Sequence, residues 1–202
     1  MKTEIYFVRH GQTEWNIERR YQGCGDSPLT EQGVNQAKAL SKHIENVHFD
    51  AIYCSPRGRA QETAKIVRGN RDLEIITVDD FQEINVGEYE GRLYDDMKNE
   101  NPDLYHGFWE SPDLFLPKTG ESFTDVGNRT YPALLKIAKK HSGQRVLIVS
   151  HAVAIMSALN KIAGIPLHRF WEKMLHQTSL SIAEYENGEF SIIKYGSTKH
   201  LE

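Results

Sequence analysis

Cysteine is scarce in this 202-residue chain: Cys24 and Cys54 are the only two, with no C-x-x-C or Cys/His ligand spacing. That excludes a disulfide framework and a zinc module, and leaves two reduced thiols as the expectation. No apolar run approaches the ~20 residues of a membrane span. The first residues, Met1-Lys2-Thr3-Glu4, contain neither a signal-peptide apolar stretch nor a cleavage site. A cytoplasmic location is therefore expected. Basic charge is not in excess, with 24 Lys+Arg against 28 Asp+Glu. Nucleic acid and anionic membranes are accordingly not expected as partners, since both want a basic surface. Walker A loop, Gly-rich dinucleotide fingerprint and H-E-x-x-H are all missing. The Asp and Glu residues show no paired spacing at strand ends, so neither a metal nor another cofactor is expected.

What is present is the composition of a folded protein, 39% hydrophobic with 10% aromatics. No repeat, charge block or Gly/Ser linker divides it, so a single domain over 1–202 is expected. Ile5-Tyr6-Phe7-Val8 reads as a strand buried on both faces. Thr30 is placed to cap a helix that carries Val34, Ala37, Leu40 and Ile44 inward. Ala51–Cys54 predicts a second strand, 57–68 a helix, and Leu73–Val78 a third strand. Ser122-Phe123-Thr124-Asp125 resembles a capping box opening a helix to about Lys140, with Pro132 expected to kink it. Arg145–Val149 gives a further strand and Ala152–Ala163 a helix. Ser179–Tyr185, Asn187-Gly188 and Phe190–Tyr195 predict a terminal hairpin. Strands alternating with helices mean an α/β fold with a mainly parallel central sheet flanked by helices. Residues 80–121 break the pattern with Pro, Gly and aromatics, and are expected to form a cap over something.

In such sheets ligands bind at the carboxyl ends of the strands. His10 follows the first strand after Arg9, and His151 follows the fourth after Ser150. If those strands are parallel neighbours, both imidazoles share one crevice. Gly11 would let backbone approach a ligand there. Arg57 and Arg59 follow the second strand at the same edge. Guanidiniums converging on one crevice suit a dianionic phosphoryl group, whose oxygens match their fork geometry.

Longer stretches around these residues resemble the histidine phosphatases, the phosphoglycerate-mutase-like superfamily. Phe7-Val8-Arg9-His10-Gly11-Gln12-Thr13-Glu14-Trp15-Asn16 is similar to the family signature. Asp26-Ser27-Pro28-Leu29-Thr30 with Gly33 and Ala37, Ser55–Ala64, Glu83–Gly91 and Val146–His151 follow in the family's order. The resemblance selects Arg59 over Arg57 as the second phosphate arginine and makes Glu83 the acid/base. It implies that His10 is the nucleophile, that Arg9, Arg59 and His151 bind the phosphoryl oxygens, and that Asn16, Gln22 and Gly23 add contacts. Ala152, Gln12 and Gln82 depart from the usual Gly, Glu and Arg, and Gln82 is expected to tune substrate preference.

The resemblance implies metal-free hydrolysis of small phosphomonoesters through phosphohistidine. A mutase would need cations for a carboxylated substrate. Between Glu83 and Ser122 the basic side chains are only Arg92, Lys98 and Lys118, beside His106. The aromatic stretch from Phe108 to Pro117 is similar to the cap of broad-specificity phosphatases, and hydrolysis is favoured over mutase chemistry. A non-catalytic phospho-ligand-binding relative is the remaining alternative. No motif encodes an oligomeric state.

Overall fold

β1 (Thr3–Arg9) lies inside a six-stranded sheet in the computed structural model, which describes residues 1–202. It pairs in parallel with β4 (Arg145–Ser150), which pairs in parallel with β2 (Ala51–Cys54), and β2 with β3 (Ile75–Thr77). On its other side β1 meets the antiparallel hairpin of β5 (Leu180–Glu186) and β6 (Glu189–Ser197), giving the order β3-β2-β4-β1-β5-β6. The sheet is therefore mainly parallel, as expected. β3 is shorter than 73–78 because β2 offers only four residues to pair with.

Alternation along β4 builds both halves of the core. Val146 and Ile148 face a large apolar cluster, while Leu147 and Val149 face a second one on the opposite side. All four are fully buried, as a strand covered on both faces requires. The smaller cluster packs β4 and β2 against α2 (Glu31–His43) and α3 (Gly58–Arg68) through Ala37, Leu40, Ala60, Ala64 and Val67. The larger one packs α6 (Phe123–Lys140) and α7 (Ala152–Ala163) on the other face. Thr30 caps α2 by accepting from Gly33 N–H, and Ser122 and Asp125 form a reciprocal capping box on α6. Pro132 lies inside α6, which runs on through it as one helix. No helix is long and apolar enough to cross a membrane.

Residues 80–121 form 3-10 turns with α4 (Tyr94–Glu100) and α5 (Pro102–Trp109). A short α1 (Glu14–Ile17) and a 3-10 segment at Leu167–Lys173 were not foreseen. The excursion shares the main core: Met97, Phe108 and Phe115 belong to the same cluster as Ile5 and Phe7. Phe108 stacks edge-on or tilted against Phe115, Phe123 and Trp171 at 5.1–5.8 Å. Trp171 Nε1–H donates to Phe108 O at 2.7 Å, and Trp109 Nε1–H to the Tyr21 hydroxyl at 3.0 Å. These ties join the excursion to the main core and to the segment before β5.

Candidate active site

The β1–β4 register aligns Val8 with Val149 and Arg9 with Ser150, so His10 and His151 are the next residues on adjacent strands. Their rings lie 5.2 Å apart between centroids. A cavity of about 270 Å³ opens over this edge of the sheet. Its floor contains Arg9, His10, Asn16, Arg59 and Glu83. Its upper wall is apolar, from Tyr94, Phe108 and Trp109 of the 80–121 excursion and Trp171 and Met174 of the segment before β5.

His10 is 3% exposed, and its Nδ1 lies 2.7 Å from Gly11 O. A carbonyl can only accept, so Nδ1 carries the proton of the neutral ring and Nε2 keeps a lone pair. Burial, then the charges of Arg59 and Arg9, hold this imidazole well below its usual pKa. His10 is thus a neutral imidazole at pH 7 with a lone pair on Nε2. His151 is fully buried behind it, outside the cavity wall, with Nε2 2.7 Å from Ser55 Oγ. Burial and the neighbouring charges, Arg59 foremost, lower its pKa in the same direction.

Three buried polar atoms in this group have no partner: Arg9 Nε, Arg59 Nε and His151 Nδ1. Unpartnered buried N–H groups are costly, about 1–3 kcal/mol each, unless a ligand or water completes them. All the remaining guanidinium nitrogens except Arg9 Nη2 are held. Arg9 Nη1 donates to Leu175 O, while Arg59 donates from Nη1 to Gly25 O and Asp26, and from Nη2 to Gly23 O. Arg59 therefore also fixes the 23–26 loop against α3. Asn16 accepts from Thr13 N–H through its amide oxygen, which leaves its NH₂ as the donor end available to the cavity. The Gln22 side chain is engaged with Thr13 and Ser27, but the backbone N–H groups of Gln22 and Gly23 donate to nothing in the protein. Gly23 has φ +47°, and a Cβ there would lie 2.0 Å from Glu90 Oε1. Only glycine fits this turn. Glu90 in turn accepts from Cys24, Gly25 and Val86 N–H, binding the 23–25 loop to the 80–121 excursion.

Glu83 sits at the N-terminus of α7. One carboxylate oxygen accepts from Ile84 and Ala154 N–H at 3.0 and 3.2 Å, the other from Val153 N–H at 3.2 Å. Val153 and Ala154 belong to the first turn of α7, whose N–H groups have no partner within the helix, so the helix start is what docks this side chain.

Several expectations need correcting. Gly11 does not serve a ligand: it lies outside the cavity wall, and a Cβ there would meet Gly33 O of α2 at 2.6 Å. Gln82 bonds to Arg57 Nη2 at 2.6 Å and does not line the cavity, so it has no direct route to substrate preference. His151 does not line the cavity: it is buried beside His10, with Nδ1 unpartnered. Sequence reasoning missed the 171–177 wall, where Trp171, Met174, Leu175, His176 and Gln177 complete the cavity.

A model of the histidine phosphatase superfamily (branch 1) matches residues 5–198. The chain is 33% identical to "Phosphoserine phosphatase 1" of Hydrogenobacter thermophilus, covering 98% of this chain and 94% of that protein. It is equally 33% identical to "Probable phosphoglycerate mutase GpmB" of Yersinia pestis, covering 98% and 95%. The solved structure of Bacillus stearothermophilus YhfR superposes with a TM-score of 0.97 at 40% identity, over 99% of this chain and 100% of that one. Fold, motif order and near-complete coverage agree: this chain belongs to the histidine phosphatase superfamily.

Proposed function

We propose that the protein hydrolyses small phosphomonoesters through a phosphohistidine on His10. Nε2 attacks phosphorus as the bond to the leaving oxygen breaks. Arg9, Arg59, His151, Asn16 and the Gln22-Gly23 backbone bind the phosphoryl oxygens, whose charge the site must offset in the transition state. Glu83 gives its proton to the leaving oxygen, then takes one from the water that attacks phosphohistidine. The observation that carries this reading is the set of three unpartnered buried nitrogens around one neutral, lone-pair-bearing imidazole. Guanidinium and imidazole nitrogens without a protein partner are donors suited to phosphoryl oxygens.

The remainder of the cavity argues for hydrolysis over phosphoryl return. Mutase chemistry wants a free cation for the substrate carboxylate. Arg20, the one other arginine in the wall, bonds Glu18 through Nε and Gly91 O through Nη1. Arg92, Lys98 and Lys118 of the cap do not line the cavity. Aromatic and aliphatic side chains face the leaving group instead, which favours esters with apolar or aryl alcohols. In the same reading 1–202 is one domain, with 80–121 as its cap.

Phosphate release from a panel of aryl, alkyl and carboxylated phosphomonoesters, run in chelator, tests the proposal. Turnover undiminished by chelator, with aryl esters ahead of phosphoglycerate, is expected. Interconversion of phosphoglycerates outpacing phosphate release would make the protein a mutase.

A further inference from the structure

Arg129 lies in the middle of α6 and is absent from the cavity wall, yet its guanidinium is spent on the segment that carries Glu83. Nη1 donates to Asp80 O and Gln82 O, both at 2.8 Å, and Nη2 to Glu83 O at 3.1 Å. Its other two bonds go to Glu121: Nε at 2.6 Å and Nη2 at 2.8 Å, a two-point pair. All five guanidinium donors are used. Glu121 completes the assembly, because its Oε2 also accepts from Asn85 N–H and its own N–H donates to Asn85 O. The Ser150 hydroxyl takes Phe81 O at 2.6 Å. Backbone groups at 80, 81, 82, 83 and 85 are thus all held from outside the segment.

We infer that the Arg129–Glu121 pair is a positioning device for Glu83, setting where its carboxylate meets the leaving oxygen. The segment has no regular structure between the 3-10 turns at 79–81 and 87–89, and its internal bonds are few, such as Ile84 N–H to the Glu83 carboxylate and Gly87 N–H to Asn85 Oδ1, so its shape depends chiefly on partners outside it. On the far side, the carboxylate reaches Val153 and Ala154 N–H at distances that leave little slack. Backbone clamped from α6 and side chain docked on α7 together define one geometry. A lysine could keep the charge and one contact to Glu121, but it could not reach three carbonyls and a carboxylate at once.

The inference rests on Glu83 being the proton donor, and the experiment separates the two claims. Burst and steady-state rates are measured on an alkyl and an activated aryl phosphate for wild type, Glu83→Gln, Arg129→Lys, Glu121→Gln and the Glu83→Gln/Arg129→Lys double variant. Thermal unfolding is followed alongside. A displaced donor is expected to slow alkyl phosphorylation by ~10–100-fold in Arg129→Lys, the scale of an ångström-level misplacement. The aryl burst should fall far less, and KM should move less than kcat. Glu121→Gln should show the same pattern more weakly, and reads the device if Arg129→Lys does not fold. Adding Arg129→Lys to Glu83→Gln should change the alkyl rate little, since the group being positioned is already lost. Equal losses on alkyl and aryl substrates, or multiplicative losses in the double variant, would overturn the positioning role. If Glu83→Gln itself does not distinguish the leaving groups, the proton-donor reading falls, and this inference with it.

Discussion

Glu83→Gln is expected to slow phosphorylation of His10 by an alkyl phosphate ~10²–10⁴-fold. An activated aryl phosphate should lose much less in the same step, because a good leaving group departs without a proton. The amide oxygen can still accept from Ile84 and Ala154 N–H. The new NH₂ group, however, would face Val153 N–H, turning one favourable contact into a donor–donor clash. Dephosphorylation should slow for every substrate, since the attacking water has lost its base. An initial burst of aryl alcohol should therefore appear. If alkyl and aryl substrates lose equally in the burst, Glu83 is not the acid. Neither neighbour is an easy substitute, because Glu88 and Glu90 both lie outside the cavity wall that Glu83 joins, Glu88 partly open to solvent.

Arg59→Ala should lower turnover by ~10²–10³-fold, the scale of a lost oxyanion donor. Two effects combine. The unpartnered Nε–H disappears from the phosphoryl site, and the carbonyls of Gly23 and Gly25 lose the donors that hold their loop. The second effect displaces the free N–H groups of Gln22 and Gly23 as well. Arg57→Ala should change turnover little. That side chain turns to Gln82, outside the wall, and its charge is the last of the several that bear on His151. Comparable losses at the two positions would mean that the phosphoryl group sits elsewhere than over β1 and β4.

The strands that place the histidines could be read directly, because a strand buried on both faces is a continuous apolar run bounded by polar residues. Ile5–Val8 and Arg145–Val149 are both of this kind. Local chemistry also exposed the Ser122/Asp125 box and the Asn187-Gly188 turn. Pairing His10 with His151 needed only the parallel rule and one assumption of adjacency, which the β1–β4 register fulfils. Other features depend on contacts distant in sequence. Glu83 docks on N–H groups 70 and 71 residues away, so only its family motif singled it out. Arg129 looks like an ordinary helix-surface cation until its carbonyl partners 46–49 residues earlier are seen. The Leu167–Lys173 segment has no helical or strand period, yet it sets Trp171 against Phe108 and closes the cavity. Gly11 reads in the sequence as a ligand approach, but the closeness of Gly33 O makes it the point where α2 approaches instead.

Covalent capture of the phosphoryl group on His10 is the central claim, and trapping it is the most direct test. The Glu83→Gln protein, whose phosphoenzyme should accumulate, is mixed briefly with a labelled aryl phosphate, quenched in base and mapped by peptide. The account predicts label on the peptide carrying His10, stable in base, released in acid, and abolished by His10→Ala. Label that survives acid, that maps to another residue, or that persists in the His10→Ala protein would contradict it.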